Sequence, residues 1–286
     1  MTAGPGSIPR ANTRDTASNT LAAIGAAPGQ PFDIAEAALT LAALDRPRVA
    51  LDHYRRHLND LAEAVGQTAQ GNTSAAAQAQ ALTSVVAKAE GYRGDDETYD
   101  DLQNANLIRV IDRRRGLPVA LGVIYLHAAR AQGWQASGLA FPGHFLIGID
   151  AGTQRLIFDP FAGHPVEDAA TLRAMLKATA GNGAELTPAC YAPLDDRHVL
   201  ARLQNNIKTR LAAQGRYADA IRISENMLLI VPEETMLYRD LGIFHAEMGN
   251  LNAAIGALDT FIDLTKDEEA RHIASALVQK IRTRLN

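Results

Sequence analysis

Apolar residues recur at helical spacing along most of the chain and change to alternation over one short stretch. Ile34, Ala38, Leu41 and Leu44, then Leu51, Tyr54, Leu58 and Leu61, predict two helices between 33 and 66. Arg46-Pro47 marks the break between them, because proline brings no N–H and clashes with the preceding turn. A Gln/Ala/Thr-rich segment at 67–81 is expected to begin as a loop and run into a helix ending near Gly91. Leu102, Leu107, Ile108 and Ile111 predict a further helix before Gly116. Pro118 suits a first helical turn, and Val119, Val123, Leu126 and Ala129 carry that helix over 118–132.

Alternation takes over after it. Residues 135–140 predict one strand, and 143–160 predict a β-hairpin with Ala151-Gly152 as its two-residue turn. That turn sets Asp150 opposite Thr153 and His144 opposite Asp159. Opposed side chains on antiparallel strands stand about 5 Å apart at Cβ, close enough for a carboxylate to orient an imidazole. One hairpin face, with Phe145, Ile147, Ile149, Leu156 and Phe158, is apolar and needs covering, for which the 118–132 helix is the nearest element. The other face mixes His144, Leu146, Asp150, Arg155, Ile157 and Asp159, as a site floor would. These elements predict an α+β domain over 32–196, mainly helical with a small antiparallel sheet.

The C-terminal third repeats itself. Gly215, Tyr217 and Ala220 recur as Gly249, Leu251 and Ala254 at the 34-residue period of a tetratricopeptide helix pair. Glycine ends the first helix of each pair, and alanine lets two helices approach closely. Ile273, Leu277 and Ile281 predict a capping helix over 268–285. Residues 197–286 therefore form an all-α repeat segment, and two units are expected to lean on the first domain. The inner face of such an array binds peptides, and by phase it includes Arg202, Asn205, Thr209 and Arg239, suited to a carboxylate or peptide backbone. Solvated helix positions are the competing explanation for these four. Residues 1–31, rich in Gly, Pro, Ser and Thr, are expected to form a flexible leader.

Composition narrows the function classes. A formal net charge of −4 supplies no basic field for nucleic acid, and the apolar runs break before the ~20 residues that span a bilayer. One cysteine cannot form an internal disulfide, which fits a reducing compartment and a cytoplasmic location.

His144 and Asp159 supply two-thirds of a nucleophile–histidine–carboxylate triad. The natural place for a nucleophile is the head of the 118–132 helix, where the dipole favours a thiolate; no Cys, Ser or Thr occurs there. Cys190 lies far downstream in a proline-flanked loop. The pair has a plainer reading as a buried polar contact that fixes strand register. His144, Asp159 and His164 match no standard zinc spacing, so neither a metal nor a cofactor is expected. Arg109 with Arg113-Arg114-Arg115 is the strong basic cluster, read either as an anion contact or as a solvated helix end.

Arg115-Gly116-Leu117-Pro118, Pro142-Gly143-His144-Phe145, Phe158-Asp159-Pro160-Phe161 and the stretch from Gly91 to Tyr99 resemble the core of the SirB-type transglutaminase-like proteins with C-terminal tetratricopeptide repeats. The resemblance implies a papain-like core in which a cysteine opens the central helix and histidine and aspartate follow on strands. The matching positions are Ala120, His144 and Asp159. An alanine in the cysteine's place implies a non-catalytic protein that works as an interaction or regulatory module through its repeats. The alternative is a hydrolase or transferase of amide bonds, with His144 activating water or an amine and Asp159 orienting the ring.

Overall fold

The computed structural model describes residues 13–285. The chain opens with α1 (Thr13–Ala26) and α2 (Ile34–Leu44), the latter capped by Asp33, whose carboxylate accepts the Ala35 and Glu36 N–H groups. A break at Asp45-Arg46-Pro47 leads to α3 (Asp52–Ala69), and Gln70 and Gly71, both at positive φ, end it. Ser74 caps α4 (Ala75–Leu82), which runs on into a π-helical stretch over Thr83–Ala89. Strand β1 (Arg93–Gly94), a 3₁₀ turn (Leu102–Ala105), α5 (Leu107–Arg113) and β2 (Arg115–Gly116) follow, β1 and β2 pairing in parallel. Pro118 stands at the head of α6 (Pro118–Arg130), where its missing N–H costs nothing.

Strands β3 (Gln135–Leu139), β4 (Leu146–Ala151), β5 (Gln154–Asp159) and β6 (His164–Pro165) form an antiparallel sheet in chain order. The anticipated face packs on α6. Phe145 wedges its ring against Gly122 of α6 and Gly138 of β3, where a Cβ would collide with it, and Tyr125 meets Phe158 at 4.9 Å between ring centroids.

The hairpin register differs from the expected one. Ile147 pairs with Phe158 and Ala151 with Gln154, so the turn is Gly152-Thr153 and the strands are shifted by two residues. Gly152 takes φ +61°, which a tight hairpin turn requires at its first central residue; alanine there would be strained. A two-residue shift keeps every side chain on its expected face. The supposed site floor is nevertheless covered. Helix α7 (Ala169–Ala180), absent from the sequence reading, brings Leu172 and Leu176 against Leu139, Phe141, Leu146 and Cys190.

The repeat segment comprises α8 (Asp196–Ala213), α9 (Tyr217–Ile230), α10 (Thr235–Glu247), α11 (Leu251–Leu264) and α12 (Glu268–Leu285). Its period extends to the backbone. Arg216 N–H donates to Leu211 O and Asn250 N–H to His245 O, both at 2.9 Å, around Gly215 and Gly249 at φ +70° and +74°. Ala220 and Ala254 are fully buried. On α12 the buried face is Ala274, Val278 and Ile281, one residue round from the expected stripe, and Ile273 is 62% exposed.

The repeats do lean on the first domain, through one continuous core that runs from Leu21 to Phe244. Arg130 of α6 grips Asp196 of α8 with two bonds of 2.5 and 3.0 Å, and Arg222 of α9 meets Asp45 beyond α2 at 2.6 Å. The leader expectation fails for residues 13–26, while residues 1–12 lie outside the described part. Helix α1 buries Leu21 completely and brings Gly25 against the Leu229 carbonyl of α9, closer than any side chain would permit. A weakly amphipathic segment becomes helical here because α9 supplies the tertiary contact.

Candidate active-site remnant and repeat surface

Ala120 is the third residue of α6 and is wholly buried, so the head of the central helix offers a methyl group to the core. His144 is half-buried on the segment between Gly143, at φ +73°, and the first residue of β4. Its ring stands edge-on to Phe141 at 6.2 Å between centroids, and its nitrogens make no hydrogen bond among the described residues.

Asp159 is elsewhere engaged. Its Oδ1 accepts the Phe161 and Ala162 N–H groups at 2.8 and 3.3 Å, and its backbone carbonyl accepts Gly163 N–H at 2.8 Å, closing the β5–β6 turn. Its strand partner is His164, whereas His144 lies outside the ladder. The expected His144–Asp159 pairing is therefore corrected. The register shift takes the aspartate past the histidine, and the turn at Gly143 holds the histidine out of the strand. Beneath Asp159, the Tyr125 hydroxyl is buried without a partner; desolvation first, then the Asp159 charge, pushes the phenol well above its ordinary range.

Cys190 packs in the small cluster under α7, its Sγ 3.7 Å from the Thr187 hydroxyl. His164 is exposed, with Nδ1 2.8 Å from the Pro165 carbonyl oxygen. Among the described residues no group of three or more His, Cys, Asp or Glu side chains is placed to hold a metal ion.

The basic cluster is divided by the fold. Arg113 donates to Asp95 at 2.8 Å and to Asn104 at 2.9 Å. Arg114 donates to the Tyr92 hydroxyl at 2.7 Å and to Glu90 at 3.1 Å. Arg115 meets Glu97 at 3.0 Å. Three of the four arginines thus knit the Glu90–Glu97 stretch to the approach to α6, and Tyr92 extends the network to His57 Nε2 at 2.8 Å. Asp95 has no exposed side-chain surface. Burial alone would raise its pKa, but the Thr98 hydroxyl and N–H, Arg113 and Asn104 together hold it down at about 2. Within the Gly91–Tyr99 motif the sequence carries no signal that singles out this carboxylate.

Of the four proposed peptide contacts, Arg202 is already committed. Its guanidinium donates to the His144 carbonyl at 2.8 Å and lies over the Phe145 ring at 5.8 Å, fixing α8 to the first domain. Desolvation lowers its pKa. Farther along α8, Arg210 lies 5.5 Å from the Tyr99 ring centroid and pairs with Asp100 at 3.0 Å. Asn205 and Thr209 are exposed, with the Thr209 hydroxyl turned back to the Asn205 carbonyl. Arg239 on α10 meets Asp240 at 3.1 Å, and its Nε is buried with no hydrogen-bond partner.

The family model for the transglutaminase-like superfamily matches residues 52–205, and the tetratricopeptide repeat model matches 207–279. A UPF0162 protein of Xylella fastidiosa is 32% identical over 177 residues, 61% of this chain and 63% of that protein. Protein SirB1 of Salmonella typhimurium is 27% identical over 177 residues, 61% of this chain and 65% of that one. The matched region thus spans less than two-thirds of either relative's length. A crystal structure of menin that reveals its binding site for Mixed Lineage Leukemia protein is similar at a TM-score of 0.39 and 12% identity, covering 92% of this chain and 74% of that one. The chain belongs to the transglutaminase-like superfamily, in a SirB-type branch whose transglutaminase-like domain is followed by tetratricopeptide repeats.

Proposed function

We propose that this chain is a non-catalytic protein-interaction module, working in the cytoplasm, in which the transglutaminase-like domain supports a repeat surface that docks a partner protein. The observation that carries the reading is an exposed face of α10. Met236 and Ile243, 41% and 37% exposed, lie seven residues apart and so share one face, with Arg239 between them. The Arg239 side chain, 43% exposed, gives that stripe a cationic donor within reach of an acidic partner even though its Nη2 also meets Asp240. An apolar–cationic–apolar stripe fits a partner segment that carries a carboxylate or free carbonyl between two aliphatic side chains. Asn205 and Thr209 lie exposed on α8, which is tied to α10 by the buried Lys208–Asp240 ion pair.

Support for lost thiol chemistry comes from the methyl group of Ala120, from Cys190 buried in a separate cluster, and from an imidazole without its carboxylate. The test is a variant carrying Met236→Glu, Arg239→Glu and Ile243→Glu, compared with the native chain by crosslinking and quantitative mass spectrometry. Loss of one buried anchor costs about 2 kcal/mol, or about 30-fold in affinity. At least that loss is expected for a partner of the native chain, with near-ultraviolet circular dichroism unchanged. Equal recovery by both proteins sinks the reading.

A further inference from the structure

A cleft of about 480 Å³ opens at the junction of the two segments, away from the α10 stripe and from the triad remnant. The end of α2, the 3₁₀ turn and α5 form one side of it, and α8, α9 and the bend between them form the other. Polar groups make up most of its lining, and aliphatic side chains, including Leu44, Leu102 and Leu211, set apolar patches among them.

Four arginines from four places in the chain converge on it: Arg46, Arg109, Arg216 and Arg222. Three have carboxylate partners. Arg46 meets Asp112 at 3.4 Å, Arg216 meets Asp219 at 2.6 Å, and Arg222 meets Asp45 at 2.6 Å and Asp219 at 3.2 Å. Arg109 makes no ion pair among the described residues, although its neighbours Asn106 and Gln103 are spoken for by Ala42 and Asp101. Four guanidinium groups thus face three carboxylates, and the uncompensated one lines an open cavity. A guanidinium without an acidic partner in a partly desolvated cleft is stabilised when an anion joins it.

We propose that this cleft binds a carboxylate carried on a short aliphatic body, with Arg109 as the anchor and Arg46 close by. Guanidinium groups take carboxylates through paired, charge-assisted bonds. The aliphatic patches at Leu44, Leu102 and Leu211 favour an anion with an aliphatic body over a bare inorganic anion, which would leave those side chains uncovered. The carboxylate arrives either on a free dicarboxylic acid or on the acidic side chain of a peptide; the cavity holds a ligand the size of a dipeptide.

The test is titration of the full chain, labelled at its arginine side chains, with glutarate, with N-acetyl-leucyl-glutamate amide and with inorganic phosphate. Nuclear magnetic resonance of the arginine Nε–H groups is the readout. Glutarate or the acetylated dipeptide is expected to move the Arg109 signal, and the stronger of the two identifies the source. Arg109→Ala should weaken that binding at least about tenfold, the loss of one charge-assisted hydrogen bond, and should leave the melting temperature unchanged because Arg109 holds no protein carboxylate. Raising the salt concentration should weaken binding in the native chain. Phosphate binding as well as either carboxylate, no response below 10 mM (roughly the weakest affinity a buried charge pair would leave), or equal binding by Arg109→Ala would each overturn the proposal. Each of these outcomes leaves the α10 reading standing, because that surface is probed by different substitutions.

Discussion

Asp95→Asn tests whether the Gly91–Tyr99 motif is architecture. The native carboxylate accepts the Thr98 N–H at 2.9 Å, the Thr98 hydroxyl at 2.7 Å and Arg113 at 2.8 Å, with no exposed side-chain surface. Folding lowers its pKa from 3.8 to about 2. At about 1.4 kcal/mol per pH unit, the ionised form contributes about 2 kcal/mol to stability. Because the folded value is the lower one, the contribution is full above pH ~5, where the unfolded carboxyl is also ionised, and is lost as pH falls through about 2. Asparagine imitates the protonated form, so the variant should be less stable by about 2 kcal/mol at pH 7. Urea unfolding followed by far-ultraviolet circular dichroism at pH 7, 4, 3 and 2.5 measures the difference. The gap between the two proteins should narrow over the last three points. A gap that stays constant from pH 7 to 2.5, or one below ~0.5 kcal/mol at pH 7, refutes the assignment of the depressed pKa to this network.

Two other substitutions probe the fold and the remnant site. Gly25→Ala drives a methyl group into the Leu229 carbonyl, which belongs to the backbone of α9 and cannot swing aside, so α1 should lift at a cost of about 1–3 kcal/mol. Faster hydrogen exchange confined to α1 and α9 is the expected result, and unchanged exchange rejects the contact. Ala120→Cys should yield a thiol inert to iodoacetamide at pH 7 until the protein is unfolded, since the position has no exposed surface. Rapid labelling of the native variant would show that the head of α6 opens to solvent.

Most of the helices and the repeat were legible because periodicity reports which face is buried, and glycine and proline report where elements stop. Pro118 opened α6 and Gly215 and Gly249 closed α8 and α10 for these reasons. Alternation in the hairpin fixed only the parity of the pairing, and registers two residues apart satisfy parity equally. The turn chemistry decides between them, and the deciding residue was present: Gly152 belongs at the first central position, where Ala151 would need positive φ. Helix α7 also had its signal, an Asp168 cap accepting Thr171 N–H ahead of Leu172, Met175 and Leu176. Helix α1 had little, since its order comes from α9, some 200 residues away in sequence.

The candidate site was less legible because contacts made by the first domain redirect side chains that helical phase alone assigns to the repeat surface. Phase assigns Arg202 and Arg239 to the first helices of two repeats, but it carries no information about what lies opposite. Opposite Arg202 is the His144 carbonyl, so the arginine fastens the segment that bears His144, and it does so through the backbone. A carbonyl contact is indifferent to the imidazole and needs no carboxylate partner for it. A methyl group at Ala120 and an Asp159 that closes a turn are therefore both compatible with a fixed His144 segment. The same docking that occupies Arg202 leaves Arg239, Met236 and Ile243 on α10 exposed, so the interaction surface we propose lies one repeat along the chain.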